Sequence, residues 1–190
     1  TPFEVVASAL RAVNAQPDTT PRTVQVVARL GQPVFGRQTP DGWPDRADAW
    51  MNTGAILNRI NFGLALAGGR VPGASLANWP LAPELRRANR ATQVEAVIKS
   101  MLGGEVSAET RSILLSGENP MLGKLAASDT MFGAPMADPR LRDPRRAEVN
   151  KNGLPRPNAP AMRALDRPVN LEGLAQVVGL ALGSPEFQRR

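Results

Sequence analysis

The chain has 190 residues, 42% of them hydrophobic, which is enough for one domain with a sizeable core. It contains no cysteine and no histidine, which excludes disulfides, thiolate nucleophiles, zinc–thiolate sites and the usual general base near neutral pH. The net charge of +6 is a moderate basic excess, and no apolar run is long enough to span a membrane.

The first 31 residues have the features of a helical hairpin. Thr1 and Glu4 form a capping box around Pro2, and a second helix is capped by Thr20 and ends at Gly31. Apolar residues at helical spacing form the predicted inward face of the two helices: Phe3, Val6, Leu10, Val13, Val24, Val27 and Leu30.

Residues 32 to 45 have no helical or alternating period and contain three prolines, so they form a predicted loop. Asp41-Gly42 is a turn dipeptide, and we expect Trp43 to hold the loop by giving its indole N–H to a loop carbonyl. Asp45 is placed to cap a short helix through Trp50. Residues 53 to 67 form the most apolar predicted helix, which we expect to be central and buried on several sides.

Three further helices follow. One opens with a capping box at Thr92 and ends after Met101, and the next runs from Ser107 to Gly117. Asn170 is the predicted cap of the last long helix, before a short turn at 184–186. No segment reads as a strand. The prediction is an all-α bundle of about six helices, a single domain over 1–190 in which 118–168 is an irregular insertion rich in proline and arginine.

The chain resembles the C-terminal part of the bacterial family called domain of unknown function 1800. Residues that follow the order of the family carry the resemblance: Pro44, Asp45, Trp50, Arg59, Asn61, Phe62 and Ser184-Pro185-Glu186-Phe187. The likeness is good over 1–75 and 170–190 and weak through 118–168. It implies a largely helical, exported bacterial protein, periplasmic or secreted, often encoded beside a sulfatase-like companion, and it implies no established activity.

Five residues are candidates for ligand binding or for tethering the loop: Trp43, Asp45, Trp50, Arg59 and Asn61. A buried polar side chain in an apolar helix needs a hydrogen-bond partner, which is either a loop carbonyl or a ligand. The acids at 41, 45 and 48 do not have the spacing of a helix–loop–helix calcium site, and turn and capping roles account for them. No metal site and no cofactor are expected.

A second candidate site is a basic stretch for binding a polyanion. Its residues are Arg140, Arg142, Arg145, Arg146 and Lys151. Acids interrupt the stretch and no aromatic residue lies near it, whereas nucleic-acid modules combine such charge with aromatic side chains. Nucleic acid is therefore not the expected partner.

Three functions stay open. The first is a non-catalytic interaction or scaffold module, bound to an upstream part of the same protein or to a companion exported protein. The others are a hydrolase fragment that uses Asp45, Asp48 and Glu95, and a polyanion-binding module. Because 118–168 contains eight prolines and several methionines, we expect it either to act as a binding arm, with self-association as one use, or to cover an exposed seam of the bundle itself. Thr1 is not an initiating residue, so we expect an upstream segment.

Overall fold

The computed structural model describes residues 1–16, 18–37, 40–50, 52–118 and 170–189. Within these ranges there are eight α-helices, two short 3-10 helices and no strand, which confirms the all-α prediction. The α-helices are α1 (Pro2–Ala12), α2 (Arg22–Arg29), α3 (Thr53–Ala67), α4 (Ala82–Leu85), α5 (Arg90–Met101), α6 (Ala108–Ser116), α7 (Gly173–Leu182) and α8 (Pro185–Gln188). The 3-10 helices are Ala47–Trp50 and Leu76–Asn78. None of the described helices is long and apolar enough to cross a membrane.

The centre of the bundle is α7. It packs against α3 over the largest interface, and it also contacts α5, α6 and α8. Its side chains Val177, Val178 and Ala181 are completely buried. The sequence predicted α3 as the central helix, but Ile56, Leu57 and Ile60 of α3 are only half-buried, and its buried apolar side chains begin at Phe62. The apolar core contact of α3 therefore lies mainly in its C-terminal half.

Glycines allow α3 and α7 to approach closely. A Cβ atom added at Gly63 would lie 2.9 Å from the carbonyl oxygen of Gly179 and 3.1 Å from the amide nitrogen of Gly183. A Cβ added at Gly183 would lie 3.2 Å from the Cα of Ile60. The two helices thus touch by backbone along this line, where a side chain has no room.

Several predicted helix ends are confirmed. The capping box of α1 is formed by Thr1 and Glu4, and Ser107 caps α6 by accepting from the Thr110 N–H. Gly117 ends α6 in the left-handed conformation, with φ of 76°. The bounds of α3 match the predicted 53–67.

Other helix starts were predicted at the wrong residue. The cap of α5 is Asn89 and not Thr92, because the Asn89 side chain accepts from the Thr92 N–H and starts the helix earlier. The cap position of α7 is Glu172 and not Asn170, because the extended backbone of Glu172 prevents a helix from starting before it. Between α3 and α4 the chain forms the 3-10 helix Leu76–Asn78, which Ser75 caps.

The predicted inward face of the first two helices was wrong at two positions. Phe3 is 58% exposed and Val24 is 47% exposed. In α2 the buried residues are Val26 and Val27, followed by Leu30 at the C-cap, and Val24 lies one turn before Val27, at the exposed start of the helix. In α1 the buried face runs through Pro2, Val5, Val6 and Ala9 instead of through Phe3.

Candidate functional site

A hydrogen bond from Trp50 ties the loop between α2 and α3 to itself. The indole Nε1 of Trp50 donates to the carbonyl oxygen of Pro44 at 2.8 Å, and the Trp50 side chain is buried. This is the contact that we expected from Trp43. The Trp43 ring instead packs against Trp50 with the ring centres 5.6 Å apart and the planes tilted by 43°. Trp43 is half-buried, and the guanidinium carbon of Arg37 lies 5.7 Å from its ring centre.

Arg59 connects this loop to the C-terminal end of the described chain. Its Nη2 donates to the Trp50 carbonyl oxygen and its Nη1 donates to Oε1 of Gln188, both at 3.4 Å. Gln188 in turn donates to the carbonyl oxygen of Gly183 at 2.9 Å. Arg59 is only 3% exposed, and this burial lowers the pKa of its guanidinium. The side chain therefore holds a loop, α3 and α8 together.

A cleft of about 430 Å³ lies between the end of α2, the loop and the start of α3. Its polar and aromatic lining consists of Arg29, Arg37, Trp43, Trp50, Asn52 and Asn58. No aspartate or glutamate from the described ranges lines it. The first turn of α3 forms one wall, where Asn52 caps the helix by accepting from the Ala55 N–H at 2.8 Å. The cleft thus combines guanidinium groups, indole rings and amides on one open surface.

The five predicted site residues divide between four locations. Trp43 and Trp50 line the cleft, and Arg59 lies buried behind Trp50. Asp45 is exposed and does not line the cleft. Asn61 is also exposed, because it lies two positions from the buried Arg59 and therefore on the other side of α3.

The structure does not bring together the acids considered for catalysis. Asp48 is exposed and pairs with Arg46 at 3.3 Å, and Glu95 is exposed on α5, where it pairs with Arg111. Within the described part of the chain, no group of three or more acidic side chains could hold a metal ion. The basic residues 140, 142, 145, 146 and 151 lie outside the described residues, as does the proposed arm from 119 onward.

Glu186 forms a polar site that the sequence reading missed. Its Oε1 accepts from the backbone N–H and the hydroxyl of Ser107, at 3.2 and 2.8 Å, and from the hydroxyl of Thr110 at 3.0 Å. Burial acts to raise the pKa of Glu186, but the hydrogen bonds from its own backbone, Ser107 and Thr110 outweigh it, so the pKa is lowered. Glu186 therefore stabilises the start of α6, although it lies far from it along the chain.

In the sequence, the only indication of this contact is that Glu186 belongs to the family motif Ser-Pro-Glu-Phe at 184–187. Ser184 caps α8 by accepting from the Phe187 N–H, and the Phe187 side chain is buried in the core. Because Glu186 contacts the start of α6, three of the four residues of the motif make defined contacts. The motif thus has a structural explanation within the fold.

These observations define an all-α domain that carries an open cleft of tryptophan and arginine side chains beside a tethered loop. The family described as Protein of unknown function (DUF1800) matches residues 1–189, so the chain belongs to this family. The match confirms the resemblance, and it also extends across 118–168, where the likeness in sequence was weak. A search of curated proteins and a search of solved structures found no match to the chain.

Proposed function

We propose that this domain is a non-catalytic protein-interaction module. Its contact surface consists of Phe3, Val34 and Phe35 and is called here the apolar surface. The observation that carries the proposal is the exposure of Phe35, whose side chain is 100% accessible to solvent. A large apolar side chain in water gains free energy when a partner covers it, at about 25 cal/mol per Å².

The apolar surface is carried by the start of α1 and by the segment that follows α2. The backbone N–H of Phe3 donates to Oε1 of Gln32 at 2.9 Å, which places the start of α1 beside the segment that leads to Val34 and Phe35. Phe3 is 58% exposed and Val34 is 45% exposed. Apolar side chains that are exposed together in this way are typical of interaction sites.

The backbone at Phe35 supports a role outside the fold. Its φ of 60° lies in the left-handed region, which costs a residue with a Cβ atom about 1–2 kcal/mol and which suits glycine or asparagine. Because the ring makes no compensating burial, phenylalanine is an unfavourable residue here for the stability of the domain. Strain of this kind is concentrated at functional positions.

We propose a second, exported protein as the partner, with an apolar segment flanked by acidic residues. Each copy of this chain has a net charge of +6, so self-association brings like charges together, whereas an acidic partner is attracted. In keeping with the family resemblance, we propose that the contact forms in the periplasm or outside the cell.

A photo-crosslinking amino acid at position 35 tests this function. Crosslinked proteins are identified and then purified, and their affinity for the purified chain is measured. We expect Phe35→Asn to weaken binding at least tenfold, as the loss of a central aromatic contact does. The matched control is Leu115→Asn, a change at another exposed apolar residue, on α6, which should leave the affinity unchanged. Crosslinks only to a second copy, or binding that is insensitive to Phe35→Asn, would overturn the proposal.

A further inference from the structure

We infer that the cleft at the start of α3 is a separate binding site for a small organic carboxylate that carries an apolar ring or chain. The cleft has a volume of about 430 Å³, and small-molecule sites typically measure about 300–1,000 Å³. None of the three residues of the apolar surface lines it. The inference therefore does not depend on the proposed protein interaction.

The charge of the lining selects an anion. Arg29 and Arg37 both line the cleft, and no acidic residue from the described ranges does so. A planar guanidinium matches the two oxygens of a carboxylate and holds them with charge-assisted hydrogen bonds. Arg37 at the edge of the open cleft therefore favours a ligand with a carboxylate group.

Arg37 already binds a carboxylate within the protein. Its Nη2 lies 3.0 Å from Oδ2 of Asp41, and the two side chains are 37% and 65% exposed. Exposed ion pairs of this kind contribute only about 0–1 kcal/mol, so they are readily exchanged. A guanidinium has several N–H donors, and a ligand carboxylate can share Arg37 with Asp41 or replace it.

The two indole rings select an apolar group next to the carboxylate. Trp50 is fixed by its hydrogen bond to Pro44, and Trp43 contacts both the Trp50 ring and the guanidinium of Arg37. The half-buried ring of Trp43 thus has a defined position before any ligand binds. Preformed aromatic walls lower the entropy cost of binding, and an indole offers a large apolar face.

The first turns of α3 leave room for the ligand and offer polar contacts. Gly54 lines the cleft without a side chain, and a Cβ atom there would meet only Oδ1 of Asn52, at 3.5 Å. The exposed amide of Asn58, one helical turn further on, can donate and accept hydrogen bonds. Amides placed beside an apolar wall are the groups that orient a ligand in such sites.

Nitrogen NMR of the three indole N–H groups tests the inference directly. Trp43 and Trp50 line the cleft, while Trp79 is buried in the core and serves as an internal reference. The probes are phenylacetate, its uncharged analogue phenylacetamide, acetate and inorganic phosphate. We expect phenylacetate to shift the Trp43 and Trp50 signals in a saturable way, with a Kd in the millimolar range, and to leave the Trp79 signal in place.

Each other result overturns the inference. Equal affinity for phenylacetamide would show that the carboxylate is not recognised, and tighter binding of phosphate than of phenylacetate would show a general anion site. Equal binding of acetate would remove the role of the indoles. The absence of saturation, or an equal shift of the Trp79 signal, would show that there is no defined site.

Variants separate binding from folding. Arg37→Gln should weaken phenylacetate binding at least fivefold, and the matched control Arg87→Gln, an exposed arginine outside the cleft, should not. Gly54→Ala places a methyl group in the cleft without disturbing the helix, so it should weaken binding at least threefold in a fully folded protein. Unchanged affinity in both Arg37→Gln and Gly54→Ala would refute the site.

Discussion

Alanine substitutions at two glycines of α3 should change stability in opposite directions. The helix contains Gly54 in its first turn and Gly63 where it meets α7. Alanine favours a helix over glycine by about 1 kcal/mol in the helix interior, and by less near an end. If intrinsic helix preference decided the outcome, both substitutions would stabilise the protein.

The contact with α7 reverses the sign at Gly63. The added Cβ would lie 2.9 Å from the Gly179 carbonyl oxygen and 3.1 Å from the Gly183 nitrogen, which are backbone atoms that cannot rotate away. Forcing extra volume into a packed interface costs about 1–3 kcal/mol or more, which exceeds the gain in helix preference. Gly63→Ala should therefore lower the free energy of unfolding by about 1–2 kcal/mol.

At Gly54 nothing opposes the helix preference. The nearest atom to the added Cβ is Oδ1 of Asn52 at 3.5 Å, an ordinary van der Waals distance. Gly54→Ala should therefore raise the free energy of unfolding by about 0.5 kcal/mol. Urea unfolding followed by circular dichroism measures both values, provided that the m-values agree. A Gly63→Ala protein as stable as the parent would refute the close contact between α3 and α7.

Three further predictions concern single side chains. Phe35→Asn should leave the free energy of unfolding unchanged or raise it by about 1 kcal/mol in urea unfolding, because asparagine tolerates the left-handed backbone and no burial is lost. Arg59→Ala should lower stability by about 2 kcal/mol and alter the near-ultraviolet circular dichroism of the tryptophans, because it removes the contact with the Trp50 carbonyl. Glu186→Gln should cost about 1–2 kcal/mol at pH 7. Because the pKa of Glu186 lies below its ordinary 4.5, its contribution is complete above that pH and is lost as the pH falls through the folded value. The free energies of unfolding of the parent and of Glu186→Gln should thus converge in acid. A difference between these two free energies that stays constant with pH would contradict this.

Several helix ends were predictable from local sequence features. The capping box at Thr1, the cap at Ser107 and the stop at Gly117 are local features, and the structure contains all three. Asn89 and Thr92 are both capping residues within one turn, and only the backbone geometry decides between them. Local sequence therefore indicates that a helix exists more reliably than where it begins.

Contacts between distant segments could not be predicted. Gly63, Gly179 and Gly183 read as neutral interruptions of apolar helices, yet they set the distance between α3 and α7. Glu186 reads as part of a short terminal turn, but its partners are 76 and 79 residues away along the chain. A single sequence carries no signal that pairs such positions, since both sides of each contact are common residue types.

The tryptophans illustrate the same limit at the site. A turn beside Trp43 predicts that an indole holds the loop, but the hydrogen bond to the loop carbonyl comes from Trp50, seven positions later. The reason is burial: Trp50 lies over the buried Arg59, where an unsatisfied N–H is costly, whereas the ring of Trp43 remains partly in solvent. Which of two nearby indoles points inward depends on the helix beneath them.

The residues that hold the loop differ from most of those that line the cleft. Trp50 and Arg59 tie the loop to α3 and α8 from the buried side. Arg37 and Asn58 line the cleft from the exposed side. Stability therefore constrains the buried pair, Trp50 and Arg59, more strongly than the exposed pair. Substitutions at Arg37 and Asn58 should alter what the cleft binds at little cost to folding, whereas those at Trp50 and Arg59 should affect both together.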